Sequence, residues 1–236
     1  MTLIAHVSDT HLDGTQRSAD RVARVVDHLA GQHRPVDAVL LTGDLADHAE
    51  PDEYAALKVF ERLNVPLLHL PGNHDRREPF LAAGLGPLNR AVRVGDVLLA
   101  LVDSTIPGRD DGLVEDATLE WLDEVLAGDT PAFVCFHHPP VEITQPYADS
   151  LRQFGEERLA AVLRKHPNVV AILCGHFHLG TATTFAEVPV FIAPAVASTL
   201  LMPWERAGGD LDRNGPPAFL YHHYTGGRLI THYRVV

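Results

Sequence analysis

The segment Leu67-Leu68-His69-Leu70-Pro71-Gly72-Asn73-His74-Asp75 joins a short, largely apolar run to a cluster of side chains that can bind a metal ion. The same arrangement occurs five times in the chain, each time with Asp, Asn or His after the run. Because the ends of neighbouring strands meet at one edge of a sheet, the pattern predicts a site assembled from distant parts of the sequence. The other polar segments are Asp9-Thr10-His11, Gly43-Asp44, His137-His138-Pro139-Pro140 and Gly175-His176-Phe177-His178, and the apolar runs are residues 3–7, 38–41, 67–70, 132–136 and 169–173.

These polar segments supply carboxylate and amide oxygens together with several imidazole nitrogens. Such a mixture suits Mn, Fe, Zn or Co better than Mg or Ca alone. The segments also contain more ligands than a single coordination sphere accommodates. The sequence therefore predicts two divalent metal ions per chain, bound where the strands end.

Strand-like and helix-like segments alternate as far as the last polar segment, and strands alone follow it. Apolar residues at helical spacing predict four helices between the strands. The apolar positions are Val22, Val25, Val26 and Leu29; Tyr54, Leu57, Phe60 and Leu63; Leu119, Leu122, Val125 and Leu126, with Asp116 as N-cap; and Leu159, Val162 and Leu163. Further strands are predicted at residues 91–94, 97–102, 181–185, 188–193, 218–224 and 228–234. This order predicts an α/β fold with a β-rich tail in one domain, residues 1–236, with a loop or lid at residues 201–217.

The composition limits the kind of partner. The chain has 236 residues and a formal net charge of −12, with no run of basic residues. This charge disfavours binding to duplex nucleic acid or to an anionic membrane, although bound metals would still attract a small anionic substrate. No signal-peptide pattern and no membrane-length apolar run occur, so we expect a cytoplasmic protein. Cys135 and Cys174 are expected to be buried, reduced thiols, and a homo-oligomer is compatible with the sequence.

In this order, the motifs D-x-H, G-D, G-N-H-D, H-H-P-P and G-H-x-H resemble those of the calcineurin-like metallophosphoesterases. The resemblance covers roughly residues 3–200 and is closest to the bacterial branch of cyclic-nucleotide phosphodiesterases and glycerophosphodiesterases. It implies two packed mixed β-sheets flanked by helices, with a dinuclear metal site at the strand ends. A hydroxide between the two metals would be the nucleophile.

The resemblance also implies a role for individual residues. Asp44 would be shared by both metals, and His137 is favoured over His138 as the ligand from its segment. His74 would contact the phosphate and protonate the leaving oxygen, because the pKa of histidine lies near neutrality, while Asp75 would orient His74 or its loop. One metal would be held by Asp9, His11, Asp44 and His178, and the other by Asp44, Asn73, His137 and His176.

The remaining polar residues have structural interpretations. Asp47 and His48 could line the mouth of the site, but a solvated position at a helix start is the favoured interpretation. Arg76 and Arg77 are the arginines next to the polar segments, and a solvated loop accounts for them. The metals and His74 would then handle the phosphate alone, which suits a singly charged diester. Structural roles are also predicted for His6, His28, His33, His69, His166, His222, His223 and His232.

The sequence therefore predicts metal-dependent hydrolysis of a small organic phosphodiester, of the cyclic-nucleotide or glycerophosphodiester type. A phosphomonoesterase or nucleotide pyrophosphatase using the same site is the alternative within enzymes. A non-catalytic scaffold of the same fold is disfavoured, because every predicted ligand position carries a suitable residue. A nuclease is disfavoured by the acidic balance and by the lack of a basic or aromatic-rich appendage.

Overall fold

The computed structural model describes residues 1–206 and 211–236, and it contains two large β-sheets with helices on their outer faces. The strands are β1 Thr2–Val7, β2 Ala38–Thr42, β3 Leu67–Leu70, β4 Arg90–Val94, β5 Val97–Leu101, β6 Gly112–Leu113, β7 Ala132–Cys135, β8 Gln153–Phe154, β9 Val169–Cys174, β10 Thr181–Phe185, β11 Val188–Ile192, β12 Thr199–Leu200, β13 Leu211–Asp212, β14 Ala218–Thr225 and β15 Arg228–Val235. The helices are α1 Gln16–Ala30, α2 Pro51–Ala56, α3 Arg77–Ala82, α4 Asp116–Val125, α5 Pro146–Asp149 and α6 Glu156–Leu163, and a 3₁₀ helix spans Leu57–Leu63.

Both large sheets are mixed, as predicted. The first has the order β15-β14-β1-β2-β3, in which β1, β2 and β3 are parallel and β14 and β15 are antiparallel additions. The second has the order β10-β11-β9-β7-β5-β4, with a parallel centre and an antiparallel strand at each edge. The parallel strands of each sheet therefore end at one edge, which is where the polar segments follow them.

Three apolar layers hold these elements together. The middle layer lies between the two sheets and includes Leu40 and Leu70 from one sheet and Phe133 and Leu173 from the other. The amphipathic face of α1 packs on the first sheet, while α4 and α6 cover the second. Burying each such Leu or Phe side chain stabilises the fold by about 1.5–3 kcal/mol. The predicted apolar positions of α1, from Val22 to Leu29, are all buried.

Several local predictions need correction. Residues 57–63 form a 3₁₀ helix rather than continuing α2, and Asn64 ends it in a left-handed conformation. The N-cap of α4 is Glu115, because Asp116 is already helical and pairs with Arg158 on α6. The predicted loop at residues 201–217 contains β13, which pairs with β12, while residues 207–210 of that loop or lid lie outside the described part.

Cys135 and Cys174 are buried and unpaired, as predicted. In the described part of the chain, no helix combines the length and hydropathy that a membrane span requires.

Two histidines, His6 and His222, lie inside the first sheet with no exposed surface. His6 Nδ1 is 3.0 Å from His222 Nε2, and the other nitrogen of each ring bonds a threonine hydroxyl, of Thr42 and Thr231 respectively. Burial disfavours the charged imidazole, so it lowers the pKa of His6 far below its ordinary value and the pKa of His222 to about 3. Both rings are therefore neutral in the folded protein near neutral pH.

We expect the buried, neutral His222 to make the folded protein less stable as the pH falls. In the unfolded chain this histidine takes up a proton below about pH 6.5, whereas in the folded protein it does so only near pH 3. The unfolded state therefore binds more protons below pH 6.5, and His222 lowers the free energy of unfolding by about 2 kcal/mol at pH 5. Denaturant unfolding at pH 7 and pH 5 should show a larger loss for the wild type than for His222→Gln. Equal losses would contradict the assignment.

Candidate metal centre

The five polar segments converge where β1, β2 and β3 of the first sheet end beside β7 and β9 of the second. Backbone hydrogen bonds tie the segments together directly. The Asp9 amide donates to the Gly43 carbonyl at 3.1 Å, and the Gly175 amide donates to the His137 carbonyl at 3.0 Å. The structure therefore brings together side chains that are far apart in the sequence.

The first cluster consists of Asp9, His11, Asp44 and His178, whose candidate ligand atoms all lie within 4.8 Å of one another. His11 Nε2 lies 3.1 Å from His178 Nε2 and 3.5 Å from Asp44 Oδ2. His178 Nε2 lies 3.4 Å from Asp9 Oδ1. Two carboxylates and two imidazoles thus surround one point.

The second cluster shares Asp44 with the first. His137 Nε2 lies 3.3 Å from Asp44 Oδ2 and 3.1 Å from Asn73 Oδ1. His176 Nδ1 lies 3.2 Å from the same His137 nitrogen. Asp44 Oδ2 therefore faces one imidazole of each cluster, which places this carboxylate between the two points.

Each of these imidazoles has one ring nitrogen that faces its cluster and one that faces away. The hydrogen bond of the nitrogen that faces away fixes the direction of the lone pair on the other. His11 Nδ1 bonds the Asp47 carboxylate at 2.8 Å, His137 Nδ1 bonds the Thr42 carbonyl at 2.7 Å, and His176 Nε2 bonds the Leu151 carbonyl at 3.0 Å. Carbonyl and carboxylate oxygens only accept hydrogen bonds, so each of these outer nitrogens carries the proton. His178 is held in the same way, with Nδ1 at 2.7 Å from Ser198 Oγ. Metal-binding histidines in proteins are oriented by such outer hydrogen bonds.

The lone pairs of neutral His137 Nε2 and His176 Nδ1 consequently face each other at 3.2 Å. That contact is favourable only when a cation or a proton lies between the two nitrogens. Burial opposes the charged form of His137, but the Asp44 carboxylate outweighs burial and raises the pKa of His137 to about 9. A divalent cation between the two nitrogens would also interact favourably with their lone pairs, so this donor set fits a metal ion.

The pKa values of Asp9 and Asp44 shift in opposite directions. Burial raises the pKa of Asp9 to about 6, even though His137 and His11 oppose the shift. Burial acts in the same direction on Asp44, but the nearby His137 and His11 outweigh it and lower the pKa of Asp44 well below its usual range. Asp44 is therefore held in the ionised form that a shared ligand requires.

His138 lies beside the second cluster, and one of its ring nitrogens lies within 4.8 Å of ligand nitrogens of His137 and His176, a group that could itself hold a metal ion. Its Nδ1 contacts Ser104 Oγ at 2.8 Å, and its Nε2 is buried with no hydrogen-bond partner among the described residues. Its ring packs against those of His137 and His176. Only His137 of the two reaches Asp44 and Asn73, which supports the preference derived from the sequence.

The backbone at the site is conformationally demanding. Asp9, His11, Asp44, His176 and His178 all have φ between 40° and 71°, a region that side-chain-bearing residues rarely occupy. Such conformations persist only where surrounding contacts enforce them, and they concentrate at functional sites.

Two glycines, Gly72 and Gly175, allow the backbone to approach the side chains of the site closely. A Cβ on Gly72 would collide with Asp44 Oδ1, and one on Gly175 would lie 2.9 Å from Asp9 Oδ2. Gly43 has a φ of 87°, and a Cβ there would lie 2.5 Å from His137 Nδ1. The backbone of these segments therefore has to pass within contact distance of the clustered side chains.

His74 stands at the edge of the first cluster. Its ring packs edge-on against that of His11, and its Nδ1 donates to the Asp47 carbonyl at 2.8 Å. Asp75 is buried and accepts hydrogen bonds from the amides of Leu45, Ala46 and Gly72. Of the two roles predicted for Asp75, the contacts support orienting the loop rather than the His74 ring.

Asp47 has a larger part in the site than the sequence suggested. Its carboxylate holds His11, its carbonyl holds His74, and it lines the cavity. The favoured interpretation of a solvated helix-start residue therefore fits Asp47 poorly. It fits His48, whose side chain is 63% exposed and bonds Glu53 of α2.

A cavity of about 460 Å³ opens onto both clusters. Three arginines line this cavity, Arg17 and Arg21 from α1 and Arg213 after β13. Their positions in the sequence did not indicate that they line it. Arg76 and Arg77 instead bond the His48 carbonyl and the Asp103 carboxylate. The expectation that the metals and His74 handle the phosphate alone considered only arginines next to the polar segments in the sequence, whereas α1 and the segment after β13 reach the cavity only in the folded chain.

Comparisons with known proteins agree with this geometry. The family model for calcineurin-like phosphoesterases matches residues 2–180. The glycerophosphodiester phosphodiesterase GpdQ of Enterobacter lignolyticus is 32% identical, with 98% of this chain and 90% of that protein covered. A cAMP/cGMP dual specificity phosphodiesterase of Mycobacterium tuberculosis is 33% identical, over 90% of this chain and 73% of that protein. Among solved structures, a dimetal phosphatase from Danio rerio has a similar fold, with a TM-score of 0.76 at 17% identity and coverage of 99% and 96%.

Proposed function

Because this chain belongs to the calcineurin-like phosphoesterase family, we propose that it is a metal-dependent phosphodiesterase acting on small organic phosphodiesters. The observation that carries the proposal is the pair of ligand clusters that share Asp44 at one cavity. By their names, the two relatives described above act on glycerophosphodiesters and on cyclic nucleotides. We propose the same two substrate types for this chain, whose residues 1–236 form a single catalytic domain.

The two clusters would each hold one divalent ion, drawn from Mn, Fe, Zn or Co. Asp9, His11, Asp44 and His178 would hold one ion, and Asp44, Asn73, His137 and His176 would hold the other. When bound, the ions lower the pKa of water to give a nucleophile near neutral pH and neutralise charge on the phosphoryl oxygens.

His74 would deliver the proton that the leaving oxygen requires. Its Nδ1–H is held by the Asp47 carbonyl, so only its Nε2 can carry the proton that is transferred. The Asp47 carboxylate also lies 3.5 Å from His74 Nδ1. Asp75 would keep the loop of Asn73 and His74 against β2 through its three amide contacts.

One observation favours a second candidate function on the same site. Arg17, Arg21 and Arg213 add positive charge to the cavity wall, and Arg21 is only 8% exposed. Guanidinium groups would suit a substrate with more than one negative charge, such as a phosphomonoester or a nucleotide pyrophosphate. The choice between the two functions is therefore a question of relative rates.

We expect the diester to be the better substrate. With Mn²⁺-loaded protein at one pH, kcat/KM for bis(p-nitrophenyl) phosphate should exceed that for p-nitrophenyl phosphate by at least about tenfold, or 1.4 kcal/mol of transition-state stabilisation. Both substrates release the same leaving group, so the comparison contrasts a singly charged diester with a monoester dianion. A matching panel with cyclic AMP and glycerophosphoethanolamine would separate the two diester types. A clear preference for the monoester would replace the phosphodiesterase with the phosphatase alternative.

A further inference from the structure

A continuous chain of polar side chains, all buried except the half-buried Thr231, runs through the first sheet to the metal centre. It starts on β15 at Thr231 and passes through His222 on β14 and His6 on β1 to Thr42 at the end of β2, with successive contacts of 2.9, 3.0 and 2.8 Å. Thr42 Oγ1 is then 2.8 Å from Ser8 Oγ. His6, His222, Thr42 and Ser8 have essentially no exposed surface. Burying four polar groups in an otherwise apolar sheet is costly unless every one is satisfied.

The direction of every hydrogen bond in this chain follows from its last member. Ser8 Oγ contacts the Thr42 carbonyl oxygen at 3.2 Å. A carbonyl oxygen only accepts hydrogen bonds, so the Ser8 hydroxyl donates its one proton to it. Its bond with Thr42 Oγ1 must therefore be donated by Thr42. Having used its own proton, the Thr42 hydroxyl can only accept from His6 Nε2–H.

The same reasoning extends outward along the chain. With its proton on Nε2, His6 has a lone pair on Nδ1 and accepts from His222 Nε2–H. His222 then has a lone pair on Nδ1 and accepts from the Thr231 hydroxyl. All donors point toward the metal centre, and each ring is fixed as the Nε2-protonated tautomer. The Asp9 carboxylate beside Ser8 is also only an acceptor, so a bond from Ser8 to Asp9 would leave this direction unchanged.

The chain ends on groups that belong to both clusters. The Thr42 carbonyl that accepts from Ser8 also accepts from His137 Nδ1 at 2.7 Å, which keeps the lone pair of His137 Nε2 directed at Asn73 and Asp44. Ser8 directly precedes Asp9, whose backbone is held at a φ of 52°. Thr42 therefore contacts the second cluster, and Ser8 adjoins the first.

We propose that Thr231, His222, His6, Thr42 and Ser8 form a directional positioning network that fixes His137 and Asp9 for metal binding. The proposal rests on the proposed function, since it takes these two residues as metal ligands. The alternative is that the network only satisfies polar groups in the core. Positioning residues around metal ligands change metal affinity by about ten- to a hundredfold when they are lost, whereas a core polar group changes stability alone.

The decisive experiment compares Thr42→Val with Thr42→Ser and with Thr2→Val. Thr2 is a matched control, because it is a fully buried threonine of the same sheet whose hydroxyl bonds the Val94 carbonyl, away from the centre. Zn²⁺ affinity is measured by competition with a chromogenic chelator, and thermal unfolding is recorded for each metal-free protein. Thr42→Val should bind Zn²⁺ at least tenfold more weakly, Thr42→Ser should restore most of the affinity, and Thr2→Val should lose stability without losing affinity.

A second measurement requires no substitution. Two-bond ¹⁵N–¹H correlation spectra of histidine-labelled wild-type protein, metal-free and Zn²⁺-loaded, report the tautomer of each ring. His6 and His222 should both be protonated on Nε2 in both states, and a proton on Nδ1 of either ring would overturn the proposal. Unchanged Zn²⁺ affinity of folded Thr42→Val would overturn it as well and leave the proposed function standing. Failure of the wild type to bind any of Zn²⁺, Mn²⁺, Co²⁺ and Fe²⁺ would overturn both.

Discussion

Replacement of Asp44 by alanine is expected to abolish activity and to remove both metal ions. Asp44 Oδ2 lies 3.5 Å from the His11 nitrogen of one cluster and 3.3 Å from the His137 nitrogen of the other, so its loss affects both sites at once. Without a shared anion, two cations held close together also repel each other strongly in a buried site. We expect kcat/KM to fall by more than about 10³-fold, beyond what losing one hydrogen-bond donor costs an active site.

Elemental analysis of metal-reconstituted protein provides the direct check. The wild type should contain two metal ions per chain, Asp44→Ala close to none, and His178→Ala mainly one, because His178 contacts only the first cluster. Asp103→Asn is a suitable control, since Asp103 is a buried aspartate that pairs with Arg77 outside both clusters. That variant should retain both ions. A wild-type content of one ion per chain would refute the dinuclear assignment.

Replacement of His74 by alanine is expected to separate catalysis from metal binding. His74 contacts the first cluster through its ring, which packs on that of His11, and through its backbone amide, which donates to Asp44 Oδ1 at 2.9 Å. The amide remains in the variant, so the metal content should be unchanged. Turnover should fall by about 10²–10⁴-fold, the usual contribution of a positioned general acid.

The size of this loss should depend on the leaving group. A p-nitrophenolate leaves without much protonation, whereas the alkoxide of a glycerophosphodiester needs a proton, so the loss should be smaller for the chromogenic substrate. His48→Ala serves as the control, because His48 is a neighbouring histidine that does not line the cavity, and its exposed side chain bonds Glu53 and lies 3.4 Å from Asp47 Oδ2. A metal-free His74→Ala protein, or equal losses with both leaving groups, would show that His74 is not the acid.

Much of the fold could be read from the sequence, because it depends on local patterns. The alternation of apolar runs with helical spacing located β1, β2, β3, β7 and β9 to within one residue at each end. The buried face of α1 followed from the 3.6-residue period of its valines and leucines. The exceptions include the 3₁₀ helix at Leu57–Leu63, the short elements α3, α5, β6 and β8, which were not predicted, and the pairing of β12 with β13. No periodicity in the sequence reveals them.

The residue types that could bind metal were also evident from the sequence. Each of these residues follows a predicted strand, and its ability to bind metal is a property of the side chain itself. The sequence alone determined that Asp9, Asp44 and Asn73 could act with several histidines. The arrangement of these side chains in space was decided by the tertiary structure. It selects His137 over His138 at Asp44, brings Asp47 onto His11, and places Arg21 of α1 on the cavity wall. It also joins His6 to His222, although 216 positions separate them in the chain. Hydrogen bonds and charge pairs act over a few ångströms of space, so only the packing of the two sheets could determine them.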